Sequence, residues 1–170
     1  DVVKGNNKIY FLSEGGIFYL NKTDNSLNTI TKINGLSGSD FSGIEYSYAT
    51  NILVVFYKNS MVDIILDNGE IIPIYDIKRK NISGNKSIYS ATCHNNLCYL
   101  SCGFGIVVLD LVKFEIQDSF IIGDNGKYDI VYDVAIDDEN IYAGTPNGIK
   151  FAPLNATNLL DFSYWENLEH

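Results

Sequence analysis

The chain has little of what catalytic and metal-binding folds draw on. There are two histidines, His94 and His170, in 170 residues. A Ser-His-Asp or Cys-His arrangement would have to use His94, which sits at a turn. There is no Gly-x-Ser-x-Gly elbow, no phosphate loop and no pair of His at helical spacing. Hydrolytic chemistry is therefore not expected, and no carboxylate pair with a supporting His or Arg suggests a glycosidase. Positive charge is also scarce: Lys and Arg number 12 against 21 Asp and Glu, for a net charge of −9 and a pI near 4.5. That argues against a nucleic-acid partner, because phosphate backbones need a basic face. The one basic cluster, Lys78-Arg79-Lys80, falls in a connecting loop, and a solvated loop is a plainer reading than an anion site. No apolar run reaches the roughly 18 residues that a membrane-spanning helix requires.

Three cysteines are an odd count that fits no dense disulfide framework. With His94, Cys93, Cys98 and Cys102 form the one metal-like cluster. Cys98 and Cys102 lie i and i+4 on what reads as one extended strand, roughly 13 Å apart at about 3.3 Å per residue. They cannot share an ion without a bend. Cys93 and Cys98 face each other across the turn at His94-Asn95-Asn96, which leaves buried free thiols, a cross-strand disulfide and a metal as the readings. The acidic clusters Asp67-Asn68-Gly69, Asp124-Asn125-Gly126 and Asp137-Asp138-Glu139-Asn140 lack the spacing of a calcium loop and read as turns. No metal and no cofactor is expected.

What the chain does have is strand and turn composition. Its 170 residues, 46% of them hydrophobic, suffice for a domain with a real core. Tyr and Phe number 12 and 9, and they suit a pleated surface. Abundant asparagine suits hairpin turns. Ile17, Met61, Ile106 and Ile149 each open an apolar run after a short turn, at intervals of 44, 45 and 43 residues. A period of about 40–50 residues built from short strands predicts β-propeller blades. The expected fold is all-β: four-stranded antiparallel blades in about four units, near 1–33, 34–80, 81–123 and 124–167, a partial propeller. Residues 168–170 resemble the start of a purification tag. Many strands are continuously apolar, as expected where a strand is covered on both faces. No ordinary helix has a start signal. The segment Asn158 to Trp165 reads as a helical turn or, more plainly, as a loop with Trp165 packed on the last blade. Four units leave either two open flanks, through which copies self-associate, or a small closed ring. Propellers bind partners with their end loops. The aromatic residues at or near turns, Tyr46, Tyr48, Phe104, Tyr128 and Trp165, are therefore the candidate ligand or partner contacts, with inter-blade packing as the competing reading.

Several segments together resemble a known family. Asn34-Gly35-Leu36-Ser37 with Gly144-Thr145-Pro146-Asn147-Gly148-Ile149 resembles the rhythm of two-component-regulator propeller repeats. Gly5-Asn6-Asn7-Lys8-Ile9-Tyr10, Lys32 to Ser37, Gly103 to Leu111 and Asn158 to Trp165 are similar to the N-terminal propeller of PorZ-type proteins. Those belong to the type IX secretion system of Bacteroidetes. The resemblance implies a non-enzymatic binding or scaffolding module, located in the periplasm or at the outer membrane and cell surface. Such proteins help attach anionic lipopolysaccharide to exported cargo, so it also implies a protein or glycan/lipopolysaccharide partner. It carries over no catalytic residue. The chain departs from the family in size, holding four units where the family's propeller is larger. The alternative is the periplasmic glycan-sensing propeller of a hybrid two-component histidine kinase.

Overall fold

A computed structural model describes residues 1–168. Glu169 and His170 of the tag-like end lie outside the described residues. Among the described residues, sixteen strands form four antiparallel sheets of four, each a meander of neighbouring strands. Blade one holds β1 (Val2–Lys4), β2 (Lys8–Ser13), β3 (Gly16–Asn21) and β4 (Leu27–Ile30). Blade two holds β5 (Phe41–Ser47), β6 (Ile52–Tyr57), β7 (Val62–Ile65) and β8 (Ile71–Ile74). Blade three holds β9 (Ile88–His94), β10 (Leu97–Cys102), β11 (Gly105–Asp110) and β12 (Glu115–Phe120). Blade four holds β13 (Asp133–Ile136), β14 (Asn140–Thr145), β15 (Gly148–Pro153) and β16 (Glu166–Asn167). A one-turn helix, α1 (Asp76–Arg79), joins blade two to blade three.

The continuously apolar strands keep a hidden period of two. In β6, Leu53, Val55 and Tyr57 face blade one, while Ile52, Val54 and Phe56 face blade three. In β11, Val107 and Leu109 face blade two, while Ile106 and Val108 face blade four. Both faces of these two central blades are covered, so alternation of polarity disappears although alternation of direction remains. Each fully buried aliphatic side chain contributes about 1.5–3 kcal/mol of transfer free energy.

The register corrects one member of the repeating tetrad. Ile17 pairs with Leu12 and Gly16 with Ser13. In blade two it is Val62 that pairs with Phe56, and Met61 takes the place of the glycine. The cause is a turn one residue longer, Lys58-Asn59-Ser60, in which Ser60 adopts φ 66°. The equivalent set is Ile17, Val62, Ile106 and Ile149, of which the first three pack against the next blade. Among the described residues no blade covers Ile149, which is 43% exposed.

The four sheets do not close into a ring, which sets aside the small four-bladed ring. The inner strands β1, β5, β9 and β13 adjoin in that order. Among the described residues, apolar clusters join blades one and two, two and three, and three and four, and none joins four to one. The outer face of blade one accordingly exposes Val2, Phe11, Phe18 and Leu27.

One buried polar lock sits between blades one and two. Asp63, in the middle of β7, is fully buried. Its carboxylate accepts from the Ser37 amide (2.8 Å), the Ser37 hydroxyl (2.5 Å) and the Tyr57 hydroxyl (2.5 Å). The Asn34-Gly35-Leu36-Ser37 turn is thereby pinned: Gly35 supplies φ 112°, Leu36 enters the core, and Ser37 reaches Asp63. Burial, followed by the bond to Asp63, pushes the Tyr57 phenol well above its ordinary value.

Candidate functional site

The five candidate aromatics do not converge. Tyr46 is buried between blades one and two, stacked on Tyr10 at 6.0 Å and edge-on to Tyr48 at 5.1 Å. Tyr48 is 56% exposed, and its hydroxyl donates to the Lys4 carbonyl at 2.6 Å. Trp165 is buried against Phe120, with its indole N–H donating to the Leu159 carbonyl at 3.1 Å. It follows a short 3₁₀ turn, Phe162–Tyr164, so the Asn158 to Trp165 segment carries both a helical turn and the packed indole. Phe104 is buried, with Tyr128 edge-on to it at 6.1 Å and itself 51% exposed. Tyr48 and Tyr128 are thus the two of the five that present their rings to solvent.

Phe104 leads to a better-formed site. At the edge of the interface between blades two and three lies a crevice of about 400 Å³, lined by Asp76, Ile77, Arg79, Lys80, Phe104, Val107, Ile116 and Ser119. The aromatic and aliphatic side chains form its floor, and α1 forms one rim. Buried Ile77 anchors α1 in the core shared by those blades. The Lys86 ammonium donates to the Lys78 and Lys80 carbonyls at 2.7 and 3.0 Å, tying down the C-terminal end of α1. Lys80 reaches the Ser119 hydroxyl at 3.3 Å, and the Arg79 guanidinium lies over the Tyr75 ring, 5.1 Å from its centroid. Lys78, Arg79, Lys80 and Lys86 form no salt bridge among the described residues. In a chain of net charge −9, this is a local reversal of sign around an apolar floor.

The inner strands carry a second polar group. The Ser90 hydroxyl donates to Asp133 at 2.7 Å and lies 3.0 Å from the Ser101 hydroxyl. Burial, and after it the charge of Asp133, holds the Glu45 carboxyl above its usual range. The thiols are free, with Cys93 directly opposite Cys98 in the β9–β10 ladder. The bond with Cys93 and complete burial raise the Cys98 pKa, and burial pushes Cys102 up to about 12. Neither buried thiol is a nucleophile at neutral pH. Sequence reasoning marked Lys78-Arg79-Lys80 and Phe104 separately. It missed Ile116, Ser119 and Lys86 as their neighbours, because the pairing of β11 with β12 brings the first two to the crevice.

A family model described as "TSS9, PorZ, N-terminal beta-propeller domain" matches residues 9–166. The chain belongs to this family. PorZ of Porphyromonas gingivalis, described as an essential bacterial surface component of the type IX secretion system, has a similar structure: TM-score 0.84 and 24% identity over 99% of this chain and 22% of that one. The extracellular domain of a putative hybrid two-component system from B. thetaiotaomicron follows, at TM-score 0.72 and 16% identity over 92% of this chain and 20% of that one. AztD from Citrobacter koseri, solved in its apo form, gives 0.70 and 13% over 89% of this chain and 42% of that one. These likenesses show the propeller fold. The PorZ-family chain spans about a fifth of the first two structures it matches. No curated protein matches it. Among the described residues of this PorZ-type propeller, no helix is long and apolar enough to cross a membrane.

Proposed function

We propose that this propeller is a non-catalytic binding and scaffolding module of a bacterial cell-envelope protein, a PorZ-like component of a type IX secretion system that aids surface attachment of exported cargo. Membership of the PorZ propeller family over residues 9–166 carries this reading. Two features support it. The buried polar groups are engaged in structural contacts, as with Asp63 and its three donors. The rings of Tyr48 and Tyr128 are exposed in loops, where a partner can reach them. The test is to delete the parent gene and measure the cargo attached at the cell surface, with complementation by wild type and by Tyr48→Ala and Tyr128→Ala. Loss on deletion and restoration by wild type is the expected outcome. Unchanged attachment after deletion would refute it.

The likeness to a two-component extracellular domain supports a second reading, a glycan sensor. A thermal-shift panel of oligosaccharides separates the two. A saturable upward shift with one glycan favours the sensor, and a flat response removes it.

A further inference from the structure

We propose that the crevice beneath α1 binds a small amphipathic carboxylate. A single anionic group would sit at Arg79 and Lys80, and an apolar body the length of one or two residues would lie on Phe104, Val107 and Ile116. The C-terminus of a peptide ending in an apolar residue has this form. The volume of about 400 Å³ falls in the range of small-ligand sites, roughly 300–1,000 Å³, which pair an apolar lining with a few placed polar groups. Phe104 and Val107 belong to the core between blades two and three, and Ile116 packs against it, so the floor does not have to be assembled by the ligand.

The polar rim selects charge and its magnitude. The guanidinium of Arg79, the chain's single arginine, offers a bidentate fork to a carboxylate, held in place by the Tyr75 ring. Lys80 and Ser119 already meet at 3.3 Å on the facing side and supply further donors. Asp76 stands on the same rim and accepts an N–H from the ligand's backbone. Its charge disfavours a phosphate dianion, whereas a monoanion keeps the net attraction. This inference goes beyond the secretion reading and survives or fails separately, since that reading is judged by cargo attachment in the cell.

The test is an NMR titration of the chain with N-acetylphenylalanine and, in parallel, its uncharged amide. The expected result is that the acid shifts the amide signals of Ile77, Lys80, Phe104 and Ser119, and that the uncharged form binds at least about tenfold more weakly. Arg79→Gln with Lys80→Gln should weaken the acid by at least a similar factor. Ile116→Ser, which keeps both cations and removes part of the floor, should also weaken it. Lys58→Gln, on a surface pair with Asp40, should change nothing. Four outcomes would overturn the proposal: equal response to acid and amide, an equal response to inorganic phosphate, undiminished binding in the double variant, or no shift up to about 10 mM acid.

Discussion

Removing the carboxylate of Asp63 should cost more than any other single polar deletion in this propeller. Asp63→Ala strips the acceptor from three donors at once: the Ser37 amide, the Ser37 hydroxyl and the Tyr57 hydroxyl. Hydrogen bonds to a charged acceptor contribute about 1.5–3 kcal/mol each. Their sum is offset by relief of the several kcal/mol spent in burying a charge. What remains is the desolvation penalty of neutral donors left dry, about 1–3 kcal/mol for each, or about 3–5 kcal/mol in all where the site partly relaxes. At roughly 2–4 °C per kcal/mol for a domain of this size, Tm should fall by about 6–20 °C. Tyr57→Phe removes one of the three bonds and should cost about 1–2 kcal/mol. Urea unfolding gives the free energies, and hydrogen exchange at Leu36 and Ser37 gives the locality. A loss below about 1 kcal/mol for Asp63→Ala, or unchanged protection at Ser37, would refute the view that this carboxylate holds the turn.

Other perturbations separate equally well. Gly105→Ala should cost at least about 2 kcal/mol, since φ is 138° and the new Cβ would meet the Phe120 carbonyl of the adjacent strand; Gly15→Ala, with open space around it, should stay within about 0.5 kcal/mol in the same urea assay. Stability should fall above pH 9. Cys102 is raised from 9.0 to about 12 on folding, so its contribution is complete below pH 9 and is lost at about 1.4 kcal/mol per unit as pH rises from 9 toward 12. Cys102→Ser should flatten that part of the alkaline Tm profile, and an unchanged slope would contradict it. Iodoacetamide should label half-buried Cys93 before Cys98 and Cys102 in the native chain, and mass spectrometry of short exposures checks the order.

The architecture could be read early because a period of about 40–50 residues survives any local irregularity. Finer placement could not. The slip between Met61 and Val62 depends on one extra turn residue, Ser60, whose left-handed backbone leaves no mark in composition. The lock around Asp63 joins residues 26 and 6 positions away, so only a charged residue interrupting an otherwise apolar strand hinted at it. Of the candidate contacts, turn position alone did not separate Tyr48 and Tyr128 from Tyr46, Phe104 and Trp165. A ring beside a turn faces solvent or core according to the neighbouring blade, and pairing across blades is set by the fold. The crevice is of the same kind. Its two cations are adjacent in the chain, and its floor comes from another sheet.

The three apolar clusters share no residue: each belongs to one pair of blades. Energetically the chain is therefore a row of nearest neighbours, in which an inner blade answers to two interfaces and an end blade to one. A blade in such a row is also a unit of inheritance. Its copy can be duplicated, lost or exchanged at the gene level while distant blades keep every contact they had. The direction shared by Ile17, Val62, Ile106 and Ile149 gives each newcomer a side to present and a side to receive. A lineage can in this way lengthen or shorten its propeller without redesigning a core.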